Sequence, residues 1–357
     1  MLIYLLLLLL LLFLFLFFKV KIENRKYFRL VYTISVVIIL GLFMGLRNKS
    51  VGVDTKQYLY RYNKLTFKFH SLEQLENEGG YELFNELLRV LKVNNQGFIL
   101  ITSFLMIVSF IYFYYKYSYS LFLSIYLHIT IGLFTMSMSG IRQTFSICIL
   151  LFAFNYIIKR NILRFLLLVI IATTFHKSAI IFLPIYLLKN VKINKKNGLL
   201  LLGIVTATLF LRKLLVPILK IVTPEKYLGR YELISKTNTA NPLLIVVALA
   251  IPLSCLLFWD NIQRMNQKKA RINSILYTLS CTNLFFNILS LNSSMIGRLS
   301  FYFVPFNMVL ISNVIFKIKN KEMKIIAIFI TLLMSGTYFF ISTPGGVYSI
   351  DKFKFFW

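Results

Sequence analysis

An arginine and a glutamine interrupt an apolar stretch near the middle of the chain, in the sequence MSMSGIRQTFSICILLFAF. Arg142 and Gln143 stand at the start of a predicted helix, where unpaired backbone N–H groups favour anions. A guanidinium group can donate two parallel hydrogen bonds to a phosphate, and the small residues before it leave room for a ligand. We therefore expect Arg142 to bind an anion such as a diphosphate. The alternative is an arginine that only extends towards lipid headgroups.

Two further single cations and two candidate bases accompany this pair. Lys177 and Arg298 each stand alone in a short polar connection. His176 precedes Lys177, and an imidazole changes its protonation state near neutral pH, which suits a general base. Asp54 is the second candidate base, although it is equally well explained as a helix N-cap, because Gln57 follows it by three residues. These residues leave the choice between His176 and Asp54 open.

The segment between the second and third apolar runs contains two predicted helices. In VGVDTKQYLYRYNK, Asp54 and Tyr58 are four residues apart and share one helical face. Tyrosines near a membrane surface are more often interfacial residues than ligand contacts, so Tyr58 has both interpretations. In YELFNELLRVLK, apolar residues form one stripe and Glu82 lies off it. That pattern is typical of an amphipathic helix on a bilayer surface.

No pattern in the sequence indicates a metal or a cofactor. The sequence contains no cluster of metal ligands, no nucleotide-binding glycine loop and no serine-hydrolase motif. The three cysteines, Cys148, Cys255 and Cys281, lie in apolar runs without metal or redox spacing. His128 also lies in an apolar run, and we assign it a structural role. We therefore expect chemistry that uses side chains alone.

Composition predicts an all-α integral membrane protein. The chain has 357 residues, of which 58% are hydrophobic, and its mean hydropathy is +0.76. Crossing the hydrocarbon core takes roughly 20 apolar residues in a helix. About twelve apolar segments meet or approach this length: Leu2–Phe18, Leu30–Leu46, Phe98–Tyr115, Leu121–Met136, Phe145–Ile158, Ile162–Phe175, Ala179–Leu188, Leu199–Leu211, Leu243–Trp259, Ile275–Leu291, Leu299–Phe316 and Ile325–Ile341.

The distribution of charge predicts the orientation of these segments. The net charge is +28, and most lysines and arginines fall in alternate connections. Cytoplasmic connections of membrane proteins carry the excess of basic residues, so the alternate connections that hold these lysines and arginines are predicted to face the cytoplasm. Both ends of the chain are then predicted to lie outside. The positive charge therefore requires no nucleic acid. A single polytopic domain over residues 1–357 is predicted, with two large outer loops at 47–96 and 212–241.

The stretch Ile162–Leu188 allows two interpretations. One long span would place Lys177 in the middle of the bilayer, at a cost of about 2.5–3.5 kcal/mol or more, and would reverse the side of every later basic loop. Two short limbs that turn at His176, with Pro184 allowing a bend, avoid both problems. We prefer the hairpin.

Four stretches together resemble the Wzy/EpsG-type polysaccharide polymerases. They are VGVDTKQYLYRY, YELFNELL, SGIRQTFSICILLFAFNYIIKR and RFLLLVIIATTFHKSAIIFLPIYLL, in this order and spacing. The resemblance is specific between about Arg47 and Leu188; beyond it, only GRLSFYF and the aromatic residues at the end of the chain fit.

The resemblance implies both a fold and an activity. The fold would be a helical bundle like that of type C glycosyltransferases. The activity would join undecaprenyl-diphosphate-linked oligosaccharide repeat units into O-antigen, capsular polysaccharide or exopolysaccharide, at the outer face of a bacterial cytoplasmic membrane. No cofactor is implied. The partners would be the lipid-linked substrates, membrane lipids, and the chain-length regulator and flippase proteins of the same pathway.

A mechanism follows from that resemblance and from the residues. Arg142, with Arg298 and Lys177, would hold the donor diphosphate, and His176 or Asp54 would take the acceptor proton. The residues expected to orient sugars are Gln143, Tyr58 and Glu82. A flippase or transporter of the same lipids would show half-to-half symmetry and charges at mid-membrane depth, and neither is visible in the sequence. A polysaccharide ligase is the nearest alternative, because its chemistry is almost the same.

Overall fold

The computed structural model describes residues 1–64, 78–222, 242–291, 294–344, 350 and 352–357. These residues are almost entirely helical, apart from one isolated antiparallel bridge between Arg47 and Phe355. The chain forms two compact units: the first comprises Met1–Leu183 and Ile326–Trp357, and the second Pro184–Ile325. Each unit is described separately below.

Within its described residues, the first unit contains nine helices in chain order and most of the last helix of the chain. They are α1 (Leu2–Lys21), α2 (Arg25–Gly45), α3 (Thr55–Lys64), α4 (Gly79–Val90), α5 (Asn95–Tyr117), α6 (Leu121–Thr130), α7 (Leu133–Ser139), α8 (Ile141–Ile158) and α9 (Ile162–Phe175). A 3₁₀ helix, Lys177–Asn190, leads to the second unit. The helices that follow are α10 (Lys195–Val222), α11 (Pro242–Leu257), α12 (Trp259–Gln263), α13 (Gln267–Leu289), α14 (Ser294–Ser300), α15 (Val304–Phe316) and α16 (Lys321–Ser342).

The all-helical prediction is confirmed, whereas the number of about twelve membrane spans is not. In the described part of the chain, six helices are long and apolar enough to cross a membrane, namely α1, α2, α5, α8, α13 and α16. The bent pair of α6 and α7, with 54° between their axes, makes a possible seventh. Three apolar helices are shorter: Ile162–Phe175, Leu243–Leu257 and Val304–Phe316. An apolar run therefore predicts a helix here, but not a helix of spanning length.

Two predicted boundaries differ from the structure. The segment Leu299–Phe316 is not one helix, because α14 ends at Ser300 and α15 begins at Val304. The predicted outer loop 212–241 begins as a helix, since α10 continues to Val222, and residues 223–241 lie outside the described residues. The predicted single domain and the sides of the membrane stay predictions.

The helices α2 and α5 pack closely because glycines line their contact. Gly41 and Gly45 are four residues apart on α2, in a small-xxx-small arrangement that lets helix backbones approach. A methyl group on Gly41 would lie 2.6 Å from the Phe104 ring, and one on Gly45 would lie 2.6 Å from Leu100 Cδ1. Both glycines are therefore required by the fit between the two helices.

The chain reverses its direction at His176, as in the hairpin interpretation. Helix α9 ends at Phe175, and His176 has an extended backbone with φ of −155°. The rings of Phe165 in α9 and Phe182 in the 3₁₀ helix are 6.3 Å apart. Residues 17 apart in one continuous helix would be separated by about 25 Å, at 1.5 Å per residue. This contact therefore requires a turn, and the turn brings His176 to one end of the first unit.

Several chain segments meet at that same end, which we call the Arg47 end. Arg47 itself is fully buried, and its Nη2 donates to the Met138 carbonyl oxygen over 3.2 Å. Gln96 Nε2 donates to the Gly45 carbonyl oxygen over 2.7 Å. At the opposite end Lys116 donates to Asn155. The basic residues near that opposite end are Lys19, Lys21, Arg25, Lys26, Arg29, Lys116, Lys159, Arg160 and Arg164.

The close contact between α2 and α5 gives a stability test. Alanine normally favours a helix over glycine by about 1 kcal/mol, so Gly→Ala should stabilise an open helical position. At Gly41 and Gly45 we expect the reverse, because overpacking costs about 1–3 kcal/mol. The measurement is the thermal unfolding of Gly41→Ala and Gly45→Ala in lipid nanodiscs. Gly203→Ala is the control, since a methyl group there meets nothing within 4 Å. Equal or higher stability at all three positions would contradict the packing.

Candidate functional site

A carboxylate joins a cation and an imidazole at the Arg47 end of the first unit. Glu78 Oε2 accepts a hydrogen bond from Arg142 Nη1, and the two groups form an ion pair. Glu78 Oε1 lies 2.6 Å from His176 Nδ1 and also accepts the Lys177 backbone N–H over 3.4 Å. We call Glu78, Arg142, His176 and Tyr58 the Glu78 cluster. The side chain of Glu78 is only 12% exposed, against 29% for Arg142 and 30% for His176.

The start of α4 places Glu78 beside α9. Glu78 has a left-handed backbone, with φ of 66°, and it caps α4 without using its side chain for the cap. The side chain is therefore available to the cluster. Gly80 lets α4 approach α9, because a methyl group at this position would lie 2.1 Å from Thr174 Oγ1. Since His176 follows Thr174 by two residues, this close approach brings the carboxylate to the imidazole.

Another segment fixes the helix start that carries Arg142. Helix α7 ends at Ser139, and α8 begins two residues later at Ile141. The Met138 carbonyl oxygen accepts from the buried guanidinium of Arg47 and from Thr55 Oγ1, the latter over 3.1 Å. The backbone N–H of Val53 donates to Ser139 Oγ over 3.1 Å. The stretch that leads into α3 therefore holds the junction from which Arg142 projects.

Aromatic side chains enclose the cluster on one side. The guanidinium carbon of Arg142 lies 5.7 Å from the centroid of the Tyr58 ring, within range of a cation–π contact. The Tyr58 ring meets Tyr81 of α4 edge to face, with centroids 5.9 Å apart. On the next turn of α4, Phe84 packs on Phe145 and Phe175. Helix α4 thus lies across the ends of α8 and α9, and the Glu78 cluster lies at the N-terminal end of α4.

Glu78 and Tyr58 lie outside the predicted spans, and both have pKa values that are shifted from their ordinary values. Burial of the Glu78 carboxyl alone would raise its pKa, but the hydrogen bond and charge of His176, the charge of Arg142 and the Lys177 N–H together lower that pKa below its ordinary value. Burial raises the pKa of Tyr58, and the charge of Arg142 opposes that rise. At neutral pH Glu78 is therefore an anion, and Tyr58 is a neutral phenol.

The ionised state of Glu78 fixes the roles of the two nitrogens of His176. An ionised carboxylate only accepts hydrogen bonds, so Nδ1 of His176 must carry the proton that points to Glu78. In the neutral imidazole, Nε2 then has a free lone pair. Arg142 also has an unused hydrogen-bond donor, because its buried Nε has no partner among the described residues. The cluster can therefore bind an anion and accept a proton at neighbouring positions.

The structure brings three of the predicted site residues together. Arg142, His176 and Tyr58 meet in the Glu78 cluster. Lys177 reaches the cluster through its backbone N–H, while its side chain is exposed. Gln143 is buried beside Arg142 at the start of α8.

The other predicted site residues lie further away or in the second unit. Asp54 is half-buried next to α3, and no hydrogen bond among the described residues joins its carboxylate to the cluster. Glu82 is half-buried one turn along α4 from Glu78. Arg298 is exposed on α14 of the second unit. The roles predicted for these residues stay predictions.

Sequence reasoning missed Glu78, which makes more contacts in the cluster than any predicted residue. One signal was present. The chain has only 12 acidic residues, and six of them lie between positions 54 and 86: Asp54, Glu73, Glu76, Glu78, Glu82 and Glu86. Among these six, only Glu78 precedes two glycines, in NEGGYELF. An acid followed by residues that permit a close approach to another segment was a stronger candidate than Glu82.

His128 and the cysteines have structural surroundings. His128 is fully buried, and its Nδ1 lies 3.0 Å from the hydroxyl of Tyr114. Cys148, Cys255 and Cys281 are buried free thiols. Within the described residues no group of three or more histidine, cysteine, aspartate or glutamate side chains could hold a metal ion.

The lowered pKa of Glu78 predicts a pH-dependent contribution to stability. Because the folded state binds the Glu78 proton more weakly than the unfolded state, the contribution is present above the ordinary pKa of 4.5 and is lost as the pH falls through the lowered value. Glu78→Gln should therefore unfold at a lower temperature than the wild type at pH 6, and the difference should shrink below pH 4.5.

The measurement is thermal unfolding in nanodiscs across that pH range. Glu23→Gln is the matched control, because Glu23 is an exposed carboxylate at the opposite end of the first unit. A difference between wild type and Glu78→Gln that stays constant down to the most acidic samples would contradict the ion pair.

Comparison with known proteins identifies the family. The model of the EpsG family matches residues 30–350, which include the whole Glu78 cluster. No curated protein matches, and no solved structure matches. The family and the long apolar helices together indicate a multi-pass membrane protein, and the family suggests a polymerase of polysaccharide biosynthesis. The chain belongs to the EpsG family.

Proposed function

We propose that this protein is a membrane glycosyltransferase that joins undecaprenyl-diphosphate-linked oligosaccharide repeat units into O-antigen, capsular polysaccharide or exopolysaccharide. The observation that carries the proposal is the Glu78 cluster, which holds an arginine and a carboxylate-bound histidine together at one end of the first unit. Transfer from a lipid diphosphate needs a cation for the leaving group and a base for the acceptor hydroxyl. The cluster contains both.

Arg142 is assigned to the donor diphosphate. Nη1 of its guanidinium donates to Glu78, Tyr58 is a second hydrogen-bond partner of the guanidinium, and the buried Nε is without a partner in the described part of the chain. A guanidinium has five N–H donors, so it can hold Glu78 and a phosphate oxygen together. Negative charge on the diphosphate increases as the glycosidic bond breaks, and contacts that strengthen in the transition state lower the barrier. Lys177 and Arg298 are proposed to assist.

His176 is assigned as the base, in preference to Asp54. The carboxylate of Glu78 orients its ring and stabilises the cation that forms on protonation, as the third member does in a catalytic triad. The acceptor hydroxyl oxygen attacks the anomeric carbon of the donor, and its proton passes to Nε2 of His176. The bond from that carbon to the phosphate oxygen breaks, and the diphosphate leaves on its carrier lipid. Tyr58, Gln143 and Glu82 are proposed to orient the sugars.

The site is proposed to face the outside of a bacterial cytoplasmic membrane. The Glu78 cluster lies at the Arg47 end of the first unit, and the short connections at the opposite end carry basic residues such as Lys19, Lys116 and Lys159. By the positive-inside rule the basic end is cytoplasmic. The lipid-linked donor carries its own diphosphate leaving group, so the reaction needs no nucleotide on the outer side of the membrane. Partners are the lipid-linked glycans, membrane lipids, and the chain-length regulator and flippase of the same pathway.

If Arg142 binds the donor diphosphate, a positive charge at this position is not sufficient for activity. Arg142→Lys keeps the charge but cannot hold Glu78 and a phosphate with one planar group. Two charge-assisted hydrogen bonds of about 1.5–3 kcal/mol each, at 1.4 kcal/mol per tenfold, predict a loss of about two decades in turnover or more. The measurement is the length distribution of lipid-linked glycan in a deletion strain that expresses each variant at matched levels.

Arg164→Lys is the control, since Arg164 lies at the opposite end of the first unit. Normal polymer from Arg142→Lys would remove Arg142 from the site and favour the interpretation that it only extends towards headgroups. A deletion strain that still makes full ladders without attaching them to the cell surface would indicate a ligase instead.

The assignment of the base has its own test. General-base catalysis contributes about 10²–10⁴-fold, so His176→Gln should lower kcat by at least two decades. Glu78→Gln should also lower kcat, with little change in KM, because it removes the group that orients the imidazole. Asp54→Asn discriminates between the two candidates. A larger loss from Asp54→Asn than from His176→Gln would transfer the role of base to Asp54.

The orientation predicts a labelling pattern. Lys56→Cys should react with an impermeant thiol reagent added outside intact cells, whereas Lys159→Cys, Lys192→Cys and Lys268→Cys should be protected. The native cysteines are buried, so they give little background. All four positions are exposed in the structure. Labelling of Lys159→Cys with protection of Lys56→Cys would reverse the proposed face.

A further inference from the structure

An open apolar groove runs along the first unit near its Arg47 end. Its volume is about 450 Å³. The walls are apolar side chains of α1, α2 and the segment 352–357, namely Ile3, Leu6, Leu7, Leu10, Ile39, Leu42, Phe43, Leu46, Phe355 and Trp357. Leu6, Leu10 and Leu42 remain substantially exposed, so the groove is open along its length. Both α1 and α2 are long and apolar enough to cross a membrane, and in that arrangement the opening would face lipid.

The segment 352–357 forms one wall of the groove. Asn48 donates its backbone N–H to the Lys354 carbonyl oxygen over 2.8 Å, and Phe356 donates to the Leu46 carbonyl oxygen over 2.9 Å. The ring of Phe353 stacks on Phe43 with centroids 4.4 Å apart. Trp357 stacks on Phe355, with centroids 4.8 Å apart and 4° between the planes.

Cations lie next to this aromatic wall. In an extended segment successive side chains point to opposite sides. Because Phe353 and Phe355 both face the bundle, Lys352 and Lys354 point away from it, and both are exposed. Lys49 is also exposed and follows Asn48, which pairs with Lys354. Three exposed cations therefore lie on or next to the segment that forms this wall of the groove.

We propose that this groove binds one chain of an anionic phospholipid, with its phosphate against Lys49, Lys352 and Lys354. The apolar walls match the chain, and the lysines match the charge of the headgroup. Aromatic side chains such as Trp357 are favoured at the depth where chain and headgroup meet. Basic residues at a membrane surface attract anionic lipids.

A bulk phospholipid fits these residues better than the lipid-linked diphosphate does. The groove offers exposed lysines, which hold a phosphate as point charges, and no planar fork for a diphosphate. The nearest arginine, Arg47, is fully buried and donates to Met44, Ser103 and Met138. Such a site suits a ligand that the membrane supplies at high concentration.

The bound lipid would stabilise a segment on which the Glu78 cluster depends. The segment 352–357 pairs with residues on both sides of Arg47, and Arg47 holds the Met138 carbonyl oxygen ahead of Arg142. Lipid in the groove would contact Phe355 and Trp357 on one side and α1 and α2 on the other. The site therefore links the composition of the membrane to the position of the α7–α8 junction.

Trp357 provides the probe. The chain has two tryptophans, so the emission of Trp357 is the difference between the wild type and Trp357→Phe. Nanodiscs would contain phosphatidylglycerol and phosphatidylcholine in a fixed ratio, with bromine on the chains of one lipid or of the other. After correction for mole fraction, we expect brominated phosphatidylglycerol to quench Trp357 more strongly. Each lysine replaced in Lys352→Ser and Lys354→Ser should lower this preference by about fivefold.

Three outcomes would overturn the proposal. Equal quenching by the two lipids would leave only general contact with the bilayer. Persistence of the preference in Leu6→Phe, which fills the groove, would place the lipid elsewhere. Relief of quenching by a trace of unbrominated undecaprenyl diphosphate, but not by the same amount of phosphatidylglycerol, would assign the groove to the carrier lipid. None of these measurements depends on polymerase activity, so they stand apart from the test of the proposed function.

Discussion

The arrangement of the first unit depends on one carboxylate that serves two partners. Glu78 neutralises Arg142 through one oxygen and orients His176 through the other, although the three residues are 64 and 98 positions apart in the chain. Without Glu78, Arg142 would be a partly buried cation with no neutralising group, and the His176 ring would lose the group that fixes its tautomer. Leaving one partner of a buried pair uncompensated is costly, so the carboxylate couples the folding of α4 to α8 and α9.

Residues outside the Glu78 cluster position the helices that carry it, and they do so on two sides. On one side, Gly80 allows α4 to touch α9 next to Thr174. On the other, Arg47 and Thr55 converge on a single carbonyl oxygen, that of Met138, immediately before the helix of Arg142. A buried arginine that donates to backbone carbonyls fixes the end of a helix more rigidly than an apolar contact would. Arg47 therefore acts on the site at a distance, through the α7–α8 junction.

The sequence predicted what depends on local pattern. Helical structure follows from apolar runs, and Arg142 and His176 were identified because each interrupts such a run at a helix end. Glu78 was missed because its role depends on distant partners, and an acid before an amphipathic helix looks like an ordinary solvated residue. Span length also depends on context, since Leu299–Phe316 is mostly apolar and yet breaks between Ser300 and Val304, just before Pro305. Hydrophobicity reports the environment of a segment, not where the backbone bends.

In the proposed reaction, the shared carboxylate also links donor binding to proton transfer at the histidine. A diphosphate that approaches Arg142 brings negative charge to the cation that otherwise neutralises Glu78. The carboxylate is then less compensated by Arg142, and its attraction for a protonated His176 increases. A stronger attraction for the imidazolium form stabilises the protonated His176 that forms when the acceptor hydroxyl gives up its proton. The acceptor hydroxyl would therefore be activated chiefly when a donor is in place, which limits unproductive loss of the lipid-linked sugar to water.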